Sequence, residues 1–443
     1  MEKGITLKNL ETFDRDFHAS RANLIAMNAV TANGVTAAAK RWDARKDERH
    51  VFSLRLDNKG ITDQQRSGRC WMFAALNCLR ASVIRSLGLE DFELSQNYTY
   101  FYDKLEKANY FLESILSTAE EPAEGRLISH LLEDPMQDGG QWDMICALIE
   151  KYGVVPKDAM PESKCSADSD EMCGVLNEKL REDACTLRRD YESGKSADEL
   201  RAEKKEMLAA IYRMLAVCLG NPPEKFDFQV RSKSGTFVSE KGITPLEFYH
   251  KYVRMDMRQY ISLINAPTTD KPYMRSYTVQ YLGNVVGGNG IRYVNLPIEE
   301  LKKAAIAQMR SGEPVWFGSD VGQMLKDEEG VMDLNAYDFA SLFGTEFDMT
   351  KADRLDYGHS MMTHAMVFQG VDLDGDMPVR WCVENSWGKD TGKKGMYLLT
   401  DKWFDQYVYQ IVVNRRFLSE EILRAYESEP IQLAPWDPMG SLA

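Results

Sequence analysis

The chain has 443 residues, 44% apolar and 28% charged, with a net charge of −14 at neutral pH. That length calls for two or three packed units, and the acidic balance gives no electrostatic support to binding a nucleic-acid backbone. No run approaches 18 apolar residues, so no membrane-spanning helix is expected.

Residues 1–60 mix short helical and extended patterns and read as an N-terminal extension packing on the core. The first residues, Met-Glu-Lys-Gly-Ile-Thr-Leu-Lys, lack the apolar centre of a signal peptide, which points to the cytoplasm. Residues 61–154 read as a helical part. There a polar, glycine-containing stretch, Asp63 to Arg69, runs straight into Cys70-Trp71-Met72-Phe73. The spacing predicts a helix from Cys70 to Leu87, stopped by Gly88. Leu94-Ser95-Gln96-Asn97 reads as the entry to the next helix, and Asp138-Gly139-Gly140-Gln141 as a turn.

Residues 155–290 read as a largely helical inserted subdomain. Its segment 161–174 looks like a polar surface loop, and Ser196-Ala197-Asp198-Glu199 is a capping box for a helix ending near Gly220. From 291 to 420 the pattern turns to strands: 291–294, 314–318, a pair around Asp374-Gly375, 395–399 and 409–413, with a helix over 297–309. Residues 421–443 form a C-terminal arm. The fold class is α+β, helices first and sheet later.

Eight cysteines, sparse and irregularly spaced, read as reduced thiols rather than a disulfide framework. There is no Cys-x-x-Cys and no H-E-x-x-H, so neither a metal nor a cofactor is expected.

One cysteine has a chemical context. A cysteine attacks only as thiolate, and a helix N-terminus together with an imidazolium lowers a thiol's pKa. Cys70 falls at the expected start of a helix. The segment Gln64 to Phe73 resembles the nucleophile segment of the papain family of cysteine peptidases. Met361-Met362-Thr363-His364-Ala365-Met366 resembles that family's histidine segment, and Glu384-Asn385-Ser386-Trp387-Gly388 its asparagine segment. The resemblance implies a papain-like two-part fold with Cys70 as nucleophile, His364 as base and Asn385 orienting the imidazole. Gln64, six residues before the cysteine, would be an oxyanion donor; losing one such donor typically costs about 2.7–4 kcal/mol. His359 is a rival base whose flanks do not match the motif. In the same family Asp138, Gly139 and Gly140 would offer backbone to the substrate, glycine allowing close approach. Secreted members bridge two cysteines at positions where this chain has Ser67 and Gln137, which agrees with a reducing compartment.

Ser67-Gly68-Arg69-Cys70-Trp71, Asp138-Gly139-Gly140-Gln141-Trp142-Asp143, Gly287-Gly288-Asn289, Met362-Thr363-His364-Ala365 and the terminal Trp436 to Ala443 resemble the bleomycin hydrolase and bacterial aminopeptidase C branch. That branch implies an arm lying in the active-site cleft, with the Ala443 carboxylate meeting the substrate's α-ammonium, and a homohexameric barrel. Pro430, Pro435 and Pro438 bias the arm toward extended backbone, and a buried Trp436 would argue against a frayed tail. The expected function is a cysteine aminopeptidase acting on peptides with a free N-terminus. The alternatives are a papain-like endopeptidase or amide hydrolase, and a non-catalytic, barrel-forming binding protein.

Overall fold

The computed structural model describes residues 3–44, 48–56 and 60–442. The strands, in chain order, are β1 (Leu54–Arg55), β2 (Phe226–Arg231), β3 (Phe237–Ile243), β4 (Tyr260–Ile264), β5 (Arg275–Val279), β6 (Tyr293–Asn295), β7 (Val315–Ser319), β8 (Leu325–Lys326), β9 (Val331–Met332), β10 (His364–Asp374), β11 (Met377–Glu384), β12 (Met396–Thr400), β13 (Val408–Asn414) and β14 (Ile431–Leu433). Among the described residues all but β2 and β3 join one sheet, ordered β14-β5-β6-β4-β13-β7-β10-β11-β12-β9-β8, with β1 beside β10.

Alternation along the strands gives this sheet two buried faces. Trp316, Ala365, Val367 and Val412 point to one core, together with Trp71, Met72 and Leu76 of the Cys70–Leu87 helix. Phe317, Met366, Phe368, Ile411 and Val413 point to a second core, under the Ile298–Arg310 and Asp401–Tyr407 helices. The Cys70–Leu87 helix is apolar nearly all round, so it is buried on nearly every side. Gly88 ends it in the left-handed conformation, φ 61°. The architecture is α+β and papain-like: a helical part carrying Cys70 against a β-rich part carrying His364 and Asn385.

Two expectations need correction. The sheet takes its first strand of this part at Tyr260, not at 291, and the 155–290 region carries the β2–β3 hairpin, β4 and β5 besides its two long helices, Asp170–Glu192 and Ala197–Leu219. Tyr260-Ile-Ser-Leu-Ile is a short apolar run, which periodicity cannot assign to helix or strand; its pairing with β13 and β6 decides it. Segment 161–174 is not a surface loop. It holds the short Lys164–Ala167 helix and the start of the next one, with Ser166 and Ser169 buried. Ser169 donates to Asp138, and Ser166 donates to Glu162, which pairs with Arg69 of the loop preceding Cys70.

Candidate active site

Cys70 is the first residue of its helix, so its Sγ sits among amide N–H groups left unpaired at a helix start. The N–H of Ala365 donates to Cys70 Sγ at 3.4 Å. The sulfur therefore lies against the residue that follows His364. His364 opens β10, and Asn385 directly follows β11, its antiparallel neighbour, so both stand at one end of adjacent strands. His364 Nε2 is hydrogen-bonded to Asn385 Oδ1 at 2.8 Å, which leaves Nδ1 as the nitrogen to face a thiol. The Trp387 ring lies 4.7 Å from the imidazole, centroid to centroid, and shields that bond from water. His359 takes no part; it lies in the loop before β10, its N–H bonded to Arg354 O.

Both reactive groups are buried, and burial dominates their proton affinity. It pushes the Cys70 thiol up to about 12, against the N–H groups of Ala365 and Trp71, which favour the thiolate. It pulls the His364 imidazole down to about 4, against the bond from Asn385. Each value is the cost of charging one group alone. A proton passed from sulfur to ring creates both charges side by side, where a low dielectric strengthens their attraction.

Gln64 is held from both ends. Its Oε1 accepts from Ser386 Oγ at 2.6 Å, its Nε2 donates to Ser67 O at 2.6 Å, and its backbone N–H donates to Ser386 O. The residue after Asn385 thus fixes the amide, leaving Nε2 a second hydrogen to offer.

The Asp138 carboxylate is engaged by its neighbours. It accepts from Gly68 N (2.8 Å), Tyr100 Oη (2.6 Å) and Ser169 Oγ (2.5 Å), and it pairs with Lys104 Nζ (2.7 Å). Burial alone would raise this carboxyl; the Lys104 ammonium and the hydrogen bonds overcome it and hold it well below the usual carboxylate range. Its own carbonyl accepts from Trp71 Nε1 at 2.8 Å, and the Gly139 carbonyl from Lys107 Nζ at 2.6 Å. Gly140 is dictated by packing: a Cβ there would come within 2.6 Å of the Trp71 ring.

Polar contacts tie the segment before Cys70 to its surroundings. Gly68 is tied to Asp138, as above. Arg69, wholly buried, donates to Ser67 Oγ at 2.9 Å, pairs with Glu162 at 2.9 Å, and lies over the rings of Phe73 and Tyr100. All eight cysteines are free.

Sequence reasoning missed a second buried network. Arg80, on the nucleophile helix, donates to Glu384 Oε1 and, at 2.6 Å, to Gly60 O; Gln369 Nε2 donates to Glu384 Oε2 at 2.5 Å. The usable signal was a charged residue in mid-helix between Leu79 and Ala81, and another between Val383 and Asn385.

The arm is docked. Ser441 Oγ donates to Met362 O at 3.0 Å and lies 3.1 Å from Met361 Sδ, just ahead of His364. Met439 and Leu442 are buried, whereas Trp436 is 40% exposed, so its burial does not supply the argument against a frayed tail. Trp436 packs instead under Arg126, whose guanidinium stands 3.8 Å from its ring centroid. Ala443 lies outside the described residues.

A thiol at a helix start, set against a strand-borne imidazole held by an amide, with the sheet and helices arranged as above, defines a papain-like cysteine peptidase. The model of the Peptidase C1-like family matches residues 4–440, and the chain belongs to that family. It is 49% identical to aminopeptidase C of Listeria monocytogenes over the full length of both chains. It is 50% identical to aminopeptidase C of Streptococcus thermophilus, covering 97% of this chain and 96% of that one. Human bleomycin hydrolase is 43% identical, covering 95% of this chain and 94% of that one. The crystal structure of PepW from Lactobacillus rhamnosis HN001 superposes with a TM-score of 0.99 at 49% identity, covering all of both chains.

Proposed function

We propose that this cysteine aminopeptidase removes residues one at a time from the amino end of peptides, through a thioester on Cys70. The observation that carries the reading is the contact of Cys70 Sγ with Ala365 N–H beside an imidazole already bonded to Asn385. His364 Nδ1 takes the thiol proton, and the thiolate attacks the scissile carbonyl carbon. The Cys70 N–H and the second hydrogen on Gln64 Nε2 receive the oxyanion, in a site where such donors are held fixed before the charge develops. The imidazolium gives its proton to the leaving amine. Water, deprotonated by His364, then attacks the thioester and releases the amino acid and the free thiol. Relatives named aminopeptidase C align end to end with this chain and support the same reading.

Selection of free N-termini is assigned to the arm. Ser441 is bonded beside the histidine segment, and the Ala443 carboxylate would pair with a substrate α-ammonium. An N-acetylated peptide offers no charge to that carboxylate and no room for the acetyl group. The backbone of 138–140 would flank the substrate.

A homohexamer is the expected assembly. Two N-terminal helices, Leu7–Ala19 and Arg21–Asn33, bury none of their residues within one chain and expose Leu7, Leu10, Phe13 and Ile25, a surface suited to a second copy. Free cysteines suit a reducing cytoplasm. Among the described residues no helix is long and apolar enough to cross a membrane.

The test is the product series from an unblocked decapeptide compared with its N-acetylated form. Sequential release of single residues from the free peptide alone is expected. Equal cleavage of both, or internal cuts, would replace this reading with an endopeptidase or a general amide hydrolase. No cleavage by the wild-type chain would leave the binding-protein alternative.

A further inference from the structure

The last strand, β14, lies parallel to β5, and Gln280 N–H bonds Leu433 O, so the arm leaves the sheet from a fixed point. Beyond it, Lys271 is almost wholly buried (4% exposed) and its Nζ stands 2.9 Å from Asp437 and 2.8 Å from Asp270. Asp270 is mostly exposed, so Asp437 is the inward partner. Asp437 also accepts the Met439 N–H at 2.9 Å, starting the short turn Pro438–Gly440. Tyr293 Oη, itself buried, bonds Met439 O at 3.2 Å. Gly440 then passes so close to Val279 that a Cβ would meet it at 3.1 Å. On the other side, Arg126, from the helix Arg126–Glu133 of the helical part, covers Trp436, with His130 at 6.2 Å.

These contacts fix how far the arm extends. A peptide advances by a little over 3 Å per residue, so a slip of the arm by one residue would move its terminus by a whole subsite. We propose that the Lys271–Asp437 pair, steadied by Arg126 over Trp436, is the positioning device that sets the reach of the arm and with it the choice of a free over a blocked amino terminus. This rests on the proposed role of the arm. Lys271, Asp437, Arg126 and Trp436 are positioning residues; they act through the chain terminus. The pair is suited to the task, because Lys271 reaches Asp437 from inside the fold while Asp270 holds it from the solvent side, so losing the Asp437 charge frees the arm and leaves the lysine paired.

The experiment compares Asp437→Asn, Trp436→Ala and a chain lacking residues 440–443 with wild type, on a free and an N-acetylated dipeptide reporter. Asp437→Asn keeps an oxygen for the Met439 N–H and removes only the charge. It is expected to raise KM for the free reporter about tenfold with kcat within about threefold, and to raise the blocked-to-free ratio of kcat/KM about tenfold. Trp436→Ala is expected to move both about threefold, as an exposed cation–π contact warrants. A second readout is carboxypeptidase trimming of the folded enzyme followed by mass: buried Leu442 should be released about tenfold faster from Asp437→Asn. In the truncated chain, adding Asp437→Asn should change nothing further.

Unchanged ratios and trimming in Asp437→Asn, with the truncation alone losing its preference for free N-termini, would overturn this inference and leave the arm's role standing. A truncated chain that keeps the wild-type preference would overturn the arm's role, and this inference with it. An effect of Asp437→Asn that persists in the truncated chain would overturn positioning through the arm.

Discussion

Arg80 of the nucleophile helix and Glu384, the residue before Asn385, form a buried ion pair across the two parts of the molecule, each with 2% of its side chain exposed. The pair ties the element that carries the thiol to the strand whose end carries the orienting amide. Gln369 on β10, the strand opened by His364, holds the other carboxylate oxygen. One carboxylate thus touches all three elements of the site.

Breaking this pair from one side leaves a charge buried without its partner. Glu384→Ala should therefore lose about 3–5 kcal/mol of stability in urea titrations, while Arg80→Met with Glu384→Leu should recover most of it. Activity should stay low in the double variant if the pair also sets the thiol-to-amide spacing. Recovery of kcat together with stability would reduce the pair to a structural role.

Gln64→Ala should lower kcat about 100- to 1,000-fold with a smaller change in KM, since the donor acts on charge that appears only in the transition state. Ser386→Ala should lower it about tenfold, because Ser386 Oγ fixes which end of the amide faces the cleft. Steady-state kinetics on a free dipeptide reporter decides both; an unaffected Gln64→Ala enzyme would remove Gln64 from the oxyanion site.

Gly140→Ala should cost about 1–3 kcal/mol, the usual penalty for overpacking. The Trp71 ring cannot step aside easily, because its Nε1 bonds Asp138 O and Lys107 lies over it. Since Trp71 adjoins Cys70, kcat should fall as well, and thermal melting alongside kinetics separates the two effects.

Stability should fall on both sides of a neutral plateau. Folding lowers His364 from 6.5 to about 4, so below 6.5 the unfolded chain binds the extra proton and stability declines with acid, by about 3 kcal/mol at pH 4. The Asp138 carboxyl, held low by Lys104, adds a further loss as pH drops through the carboxylate range. Folding raises Cys70 from 9.0 to about 12, so above pH 9 the unfolded chain sheds its proton first and stability falls again. Urea midpoints across pH check this. His364→Asn should flatten part of the acid limb and Cys70→Ala part of the alkaline one.

Much of the fold and site could be read without coordinates where the signals are local. The helix over 70–87 with its Gly88 stop and the capped helix starting at Ala197 rest on bonds between residues a few positions apart, and the β10–β11 hairpin pairs residues no more than 17 apart around a tight turn. The candidate triplet was legible because each member sits in a short contiguous segment that resembles one of the papain family. Less was legible where a residue's state depends on a distant partner. Tyr260–Ile264 is a strand because β13 and β6 lie beside it, and Ser166 and Ser169 are buried because Glu162, which pairs with Arg69, and Asp138 accept from their hydroxyls.

The chain by itself pointed to the candidate residues through contiguous segments and to the local conformation of the helix that starts at Cys70. Tertiary structure alone decided that Asp138 braces the nucleophile loop, that Arg80 meets Glu384 304 positions away, and that Lys271 holds Asp437. Backbone geometry is set by neighbours in sequence, whereas a buried charge finds its partner only once folding has removed the water that would otherwise solvate it.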